Sequence, residues 1–392
     1  MRSRTFPASA RRRSVLAMGA ALVATAGRGV ASSPASAAGG TVLRLPALTD
    51  GIASLDVPLT ARLTEQVSGG RRTATISTTT FSMVGVTWHG ELSGAPRFRV
   101  RVRRAGGWSG WQALPLQHDL PDGGEGAGKH GTQPVWVGRS TGIQVEAIGS
   151  RLTGLTMSLI NTGPPQRVSV PRAIAGNALA RPSGRVWTRA PRPVLMSRKK
   201  WGADPKLLNG SPRYCRTLKQ VHIHHTASSN DYSRGDVPGI IRGIYRYHTQ
   251  SLGWFDIGYN FLVDKFGYSW VGRSGGPRKL VRGAHTLGFN HVSMGIAVIG
   301  NFQSHEPPHK VITKLVRLSA WKLDFYKRNP TGKIKVKSEG SDKYPAGRVV
   351  TLPVIDGHRD TNDTECPGAK LYAMLPVIRR RTKRRMNAYN PS

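Results

Sequence analysis

Apolar and polar positions alternate in five short stretches of the first half of the chain: residues 81–88, 98–102, 135–137, 143–145 and 155–159, with glycine-rich turns between them. Alternation with a period of two marks half-buried strands. No helical pattern interrupts them, so residues 41–163 are expected to form a small antiparallel sandwich or barrel. The second half changes character. Residues 220–224 alternate as a strand, placing Val221 and Ile223 on one face and His222 and His224 on the other. Asp236 then has the place of an N-cap and Pro238 that of a first helical turn, and Ile240, Ile241, Ile244, Tyr245 and His248 follow at helical spacing. Residues 259–263 and 268–271 read as two strands joined by the turn at 264–267. Residues 294–299 are apolar throughout, which suits the centre of a sheet. A second helix is expected over 311–326, with Ile312, Leu315, Ser319 and Leu323 on one stripe, and a last strand over 350–355 leads into Gly357 and His358. The whole is an α/β C-terminal domain, a mixed sheet covered by helices, preceded by an all-β domain.

Between the two lies a segment of different composition. Residues 166–200 hold nine Lys or Arg, no Asp or Glu, and prolines at Pro171, Pro182, Pro191 and Pro193. Such a segment is stiff and extended; it either lies along an anionic polymer or is a solvated spacer. The divisions follow: 1–37, 41–163, a linker at 164–197, a domain at 198–380, and a basic tail at 381–392. A chain of 392 residues is long enough for two cores.

The start of the chain bears on the compartment. Arg11, Arg12 and Arg13 precede an Ala-rich, weakly apolar stretch, and Ala35-Ser36-Ala37 offers small residues for cleavage. This is the pattern of an export signal. The run Arg12-Arg13-Ser14-Val15-Leu16 resembles the twin-arginine signal. The stretch is too short to span a bilayer and is broken by Arg28, so no transmembrane anchor is expected.

Charge and cysteine content narrow the classes further. The net charge is +37, and losing the six arginines of residues 1–37 leaves +31. The mature chain should therefore attract polyanions such as nucleic acid, anionic lipid or a phosphate-bearing wall polymer, and charge does not choose among them. No nucleic-acid motif accompanies the charge. With only Cys215 and Cys366, a disulfide framework and any site of three or four thiolates are excluded. In an oxidising compartment the pair can form one disulfide; alternatively one of them serves a metal.

Nine of the 12 histidines fall between His222 and His358, and Cys366 follows eight residues later. A histidine at one strand end, another after a strand and a thiolate on the next loop suit a three-ligand zinc set with its fourth position left to water. Spacing alone does not decide this, because no HExxH or CxxC is present. Residues 41–163 show no catalytic constellation, and Trp88, Trp108, Trp111 and Trp136 there are either core or a sugar-binding face.

Five motifs sharpen the picture. They are Arg198-Lys199-Lys200-Trp201-Gly202-Ala203, Val221-His222-Ile223-His224-His225-Thr226-Ala227, Asp256-Ile257-Gly258-Tyr259-Asn260-Phe261-Leu262-Val263, Gly283-Ala284-His285-Thr286-Leu287-Gly288-Phe289-Asn290, and Gly357-His358-Arg359-Asp360 followed by Thr364-Glu365-Cys366-Pro367-Gly368. Together, over about residues 195–380, they resemble the peptidoglycan recognition protein family, itself similar to the type 2 N-acetylmuramoyl-L-alanine amidases. The resemblance implies a zinc ion on His224, His358 and Cys366, with Tyr259 and Thr364 as catalytic positions. It implies substrate contacts at His225, His285, Arg273 and Asn290. Thr364 stands where the phage enzymes have lysine, and Val271 where many relatives have glutamate, so no general base is evident. The expected protein is a secreted, wall-associated, monomeric amidase acting on peptidoglycan between N-acetylmuramic acid and L-alanine, and the alternative is a binding-only recognition protein. The β domain and linker are expected to hold it at an anionic surface without taking part in the chemistry.

Overall fold

A computed structural model describes residues 41–90, 96–126, 128–149, 153–169 and 189–389. The export signal and residues 170–188 of the linker lie outside the described residues.

Ten strands build the first domain: β1 (Ala53–Pro58), β2 (Leu63–Val67), β3 (Gly70–Thr73), β4 (Ile76–His89), β5 (Arg97–Arg104), β6 (Gly107–Trp108), β7 (Gln112–Leu114), β8 (Lys129–Gly131), β9 (Val135–Ile148) and β10 (Thr156–Asn161). All their pairings are antiparallel, along the order β1-β10-β4-β9-β3-β2 with β5 also on β9. The stretches 135–137 and 143–145, read as two strands, are the ends of the single strand β9. Gly138, at φ 74°, lets the chain bend without ending the strand, and the register against β4 shifts nearby. Alternating side chains such as Val84, Val86, Val100, Val102, Val145 and Leu159 close the core. The tryptophans divide: Trp88 and Trp136 are buried, whereas Trp108 and Trp111 each lie under the Arg101 guanidinium, at 5.2 and 5.1 Å.

The C-terminal domain is built on a second sheet of β11 (Gln220–His225), β12 (Phe261–Val263), β13 (Ser269–Val271), β14 (Ser293–Val298) and β17 (Ile355–Gly357), in the order β13-β12-β14-β11-β17. The apolar strand β14 sits at its centre. Only the β12–β13 hairpin is antiparallel. The expected strand at 350–355 is two elements: Val349–Pro353 (β16) pairs with Lys333–Lys337 (β15) in a separate hairpin, and the chain joins the main sheet only after Val354, whose carbonyl accepts from the Val221 N–H at 2.8 Å.

Each face of this sheet is covered. Val221, Ile223, Phe261, Met294 and Ile296 pack against the helices His309–Phe325 and Leu375–Asn387. The predicted stripe of Ile312, Leu315, Ser319 and Leu323 is buried. The division placed at residue 380 falls inside the last helix: Leu375, Ile378, Thr382 and Met386 bury one side of it, and the arginines of the basic run occupy the others. The described end of the linker is also tied down, since Met196 exchanges backbone hydrogen bonds with Ser269 and Val271 at 2.8 and 2.9 Å.

The opposite face meets the helix Val237–Arg246 and, beyond it, the β domain. One apolar cluster contains Met83, Trp136 and Ile160 from the β domain together with Ile240, Tyr247, Trp254 and Tyr259 from the C-terminal domain. Tyr247 donates to the Val86 carbonyl at 3.0 Å, and Arg242 to that of Thr162 at 3.1 Å. The two domains therefore share a core.

Candidate functional site

Two neighbouring parallel strands set the spacing of the site. β11 and β17 pair with His222 opposite Asp356 and Ile223 opposite Gly357. Side chains two apart on a strand share a face, so His222 stands beside Asp356 and, one step on, His224 beside His358. His222 Nδ1 lies 2.6 Å from Asp356 Oδ1, and burial pushes that carboxyl up to about 6. The rings of His224 and His358 are 4.7 Å apart. Cys366 arrives from the loop after His358, its N–H donating to Thr364 Oγ1 at 3.2 Å. Its Sγ is 3.7 Å from His224 Nδ1 and accepts the His225 N–H at 3.4 Å. One donor atom from each of His224, His358 and Cys366 falls within 4.8 Å of the others, and all three residues are buried.

His285 fixes the His224 ring from behind, with Nδ1 3.2 Å from His224 Nε2. It stacks on the backbone of β14, where a Cβ on Gly295 would come within 2.4 Å of its ring; this is why that strand position is glycine. His285 is fully buried and supports His224 from behind. His225 borders the cleft beside Cys366 and Thr364, with Nδ1 accepting from the Phe302 N–H at 3.2 Å.

The fourth side of the cluster comes from the β domain, which the sequence reading left without chemistry. Asp119 is fully buried. Its Oδ1 lies 3.0 Å from His224 Nδ1 and 3.1 Å from His358 Nδ1. Its Oδ2 accepts from Tyr259 Oη at 2.7 Å and from Gln133 Nε2 at 2.6 Å. The signal available in the sequence was a concentration of acids, Asp119, Asp122 and Glu125, in a glycine-rich stretch of a chain with 58 basic and 21 acidic residues.

Burial lowers both imidazoles, His358 to about 3, so each ring is neutral and offers a lone pair. Burial likewise pushes the Cys366 thiol well up; a thiolate there needs a cation beside it. For Asp119, burial would raise the carboxyl, but the His358 and His224 rings and the Tyr259 hydroxyl outweigh it and hold the group below the usual carboxylate range. Among the described residues, Asp119 Oδ1 and both ring nitrogens of His358 are buried without a hydrogen-bond partner. Two neutral imidazoles, a thiol and a carboxylate with such unpartnered atoms form a donor set that fits zinc.

Residues 214–369 match the N-acetylmuramoyl-L-alanine amidase family. This match falls within the C-terminal domain. Residues 46–170 match a second family, described as Rv3811 N-terminal galactose-binding domain-like. Peptidoglycan-recognition protein SC2 of Drosophila melanogaster is 29% identical over 179 residues, 46% of this chain and 83% of that protein. Human N-acetylmuramoyl-L-alanine amidase is 30% identical over 188 residues, 47% of this chain and 28% of that protein. Among solved structures, Drosophila PGRP-LB matches at 29% identity over 46% of this chain and 92% of that one, with a TM-score of 0.37.

The remaining predicted positions lie around the cluster of His224, His358 and Cys366. Thr364 borders a cleft of about 960 Å³ between the domains, walled by Cys366 and Gln303 on one side and by Arg97, Arg99 and Gln112 of the β domain on the other. Arg273 is buried, its Nη2 on both carboxylate oxygens of Glu125 at 2.7 and 2.8 Å. Asn290 accepts the N–H groups of His285 and Thr286 through Oδ1, at 2.8 and 3.1 Å, and donates to the Leu120 carbonyl at 2.9 Å. Among the described residues, no helix is long and apolar enough to cross a membrane.

Proposed function

We propose that the chain is a secreted zinc amidase that hydrolyses the amide between N-acetylmuramic acid and the L-alanine of peptidoglycan. The observation that carries this reading is the convergence of His224, His358 and Cys366 donor atoms within 4.8 Å in an amidase-family domain. These three residues would hold the ion. Zinc bound there supplies a Lewis acid and a water acidified toward a pKa of about 7.

The chain's own groups do the rest. His285 beside His224 fixes that ring, as outer partners of metal ligands do. Tyr259 Oη points at the cluster and is free to donate to the carbonyl oxygen once its bond to Asp119 is released. A hydroxyl placed there favours the charge that develops on that oxygen. Thr364 borders the cleft beside Cys366 and is suited to positioning the scissile amide, while Arg273 and Asn290 would present donors for the stem peptide once Glu125 and the Leu120 carbonyl are released. The +31 of the chain without residues 1–37 favours contact with anionic polymers of the wall.

The test is to incubate the zinc-loaded full-length chain, as wild type and as Asp119→Ala, with a soluble N-acetylmuramoyl peptide and to look for a newly exposed L-alanine amino terminus. His358→Ala and Cys366→Ala are expected to lose both the bound zinc and this product. In the Asp119→Ala background, product formed by either variant at the rate of the parent would remove the metal cluster from the reaction.

A further inference from the structure

The stretch that delivers Asp119 does more than add one carboxylate. Between β7 and β8 it runs along the amidase domain and engages one polar group after another. His118 Nδ1 lies 3.2 Å from Asp342 Oδ2. Asp119 meets the two histidines and Tyr259, as described above. The Leu120 carbonyl takes the Asn290 amide. Asp122 accepts the Gly288 N–H at 2.7 Å through Oδ1 and the Arg282 guanidinium at 2.8 Å through Oδ2. Glu125 holds Arg273 and accepts the Phe255 N–H at 3.3 Å. Gly126 follows with φ 63°, and a Cβ there would lie 2.4 Å from the Leu252 carbonyl oxygen and 2.7 Å from the Trp254 ring, so the segment lies hard against the domain.

The distances at Asp119 decide how it meets the cluster. Zinc in tetrahedral coordination, with bonds of about 2.0–2.3 Å, places neighbouring donor atoms roughly 3–4 Å apart. The separations here are 3.0 Å from Oδ1 to His224 Nδ1, 3.1 Å from Oδ1 to His358 Nδ1, and 3.7 Å from His224 Nδ1 to Cys366 Sγ. Oδ1 lies against these two ring nitrogens, while Oδ2 is taken up by Tyr259 and Gln133. An oxygen at this spacing is placed to share an ion with both imidazoles, beside the three residues whose donor atoms lie within 4.8 Å of one another. A general base would stand one water further out.

We propose that Asp119 is the fourth ligand of the metal centre and that residues 116–125 fill the groove in place of substrate, so that the chain as folded is latent. The proposal rests on the zinc amidase reading for the nature of the metal and of the displaced ligand. Three protein ligands leave zinc a position for water, whereas four close it. The Tyr259 hydroxyl is taken up by Asp119 Oδ2 in the same arrangement. Activation then requires the acidic segment to leave the site, and the shared core keeps the β domain that carries it in place.

The test replaces zinc by cobalt in the full-length chain and follows the visible absorption, with acetohydroxamate as a probe for an open coordination position. Wild-type protein is expected to change little as the probe is added. Asp119→Ala is expected to show altered bands before addition and a saturable response at concentrations at least 10-fold lower, and Asp119→Asn, which keeps the side-chain volume, an intermediate response. Identical spectra and responses in all three would overturn the ligand assignment, whatever the enzyme cleaves. The groove half is read separately with Asp122→Asn/Glu125→Gln, which leaves the metal donors intact: binding of a soluble N-acetylmuramoyl peptide should tighten by roughly 10-fold, and unchanged binding overturns it. Altered cobalt bands with no peptide cleavage by any variant would instead leave Asp119 as ligand and defeat the amidase reading.

Discussion

Tyr259 Oη donates to Asp119 Oδ2 over 2.7 Å, joining residues 140 apart in sequence and in different domains. The same hydroxyl is the one proposed above to stabilise an oxyanion. Tyr259→Phe keeps the ring and removes only this donor. Measured in the Asp119→Ala background, so that the acidic segment does not mask the effect, kcat on a soluble muropeptide is expected to fall about 10²-fold with zinc content unchanged. Equal kcat in the two proteins would take Tyr259 out of the chemistry.

The seam between the domains is tight at Gly85. A Cβ on this residue would meet Tyr247 Cε2 at 2.5 Å, and Tyr247 is itself fully buried. Gly85→Val should therefore destabilise the protein by about 1–3 kcal/mol, read as a lower Tm. Combined with Tyr247→Ala, the two costs should add to less than their sum, because the second change removes the atoms the first collides with. Strict additivity would show that the contact is absent in solution.

Lys322, on the helix His309–Phe325, is buried, with Nζ donating to the carbonyls of Arg278 and Lys279 at 3.3 and 3.0 Å. Burial lowers its ammonium to about 8, against about 10.4 for a free lysine. Between those values the unfolded chain binds more protons than the folded one, so stability rises with pH across that window. Lys322→Met should abolish this rise. Below pH 8 the variant should be more stable by about 1–2 kcal/mol, the relief of some 3 kcal/mol of charge burial being offset by two lost hydrogen bonds. Denaturant titrations at pH 7 and pH 10 check the sign; a steeper rise in the variant would contradict it.

Both cysteines are free thiols. Cys215 is partly buried, with Sγ 3.3 Å from the Asn290 carbonyl oxygen, and burial raises its thiol to about 11. At pH 8 it should alkylate roughly 10²-fold more slowly than an exposed cysteine, and non-reducing mass spectrometry of fresh protein should show no Cys215–Cys366 bridge. Such a bridge would overturn the ligand role of Cys366.

What the sequence made legible follows from how local each signal is. The β11 alternation, the apolar run of β14 and the stripe from Ile312 to Leu323 are periodic, and periodicity survives without neighbours. The motif around Thr364 and Cys366 is recognisable because its residues are close together in the chain. Asp119 carries no such mark: it reaches His224 across 105 positions, and its place is fixed by strand pairing and by the seam around Tyr247. The burial of His285 was equally hidden, because it depends on the missing side chain of Gly295 on another strand. The split of residues 350–355 into two elements was hidden too, since all but Pro353 and Thr351 look like one apolar strand.

The pairing of β11 with β17 has a consequence for how such a protein can vary. His224 and His358 are separated by more than a hundred residues, yet their spacing is set by main-chain hydrogen bonds between adjacent strands. Lineages can lengthen or shorten the intervening loops without moving either imidazole. A single-residue insertion within β11 or β17, in contrast, would turn a histidine to the opposite face of the sheet. Drift in this domain is therefore free in length between the strands and forbidden in phase within them.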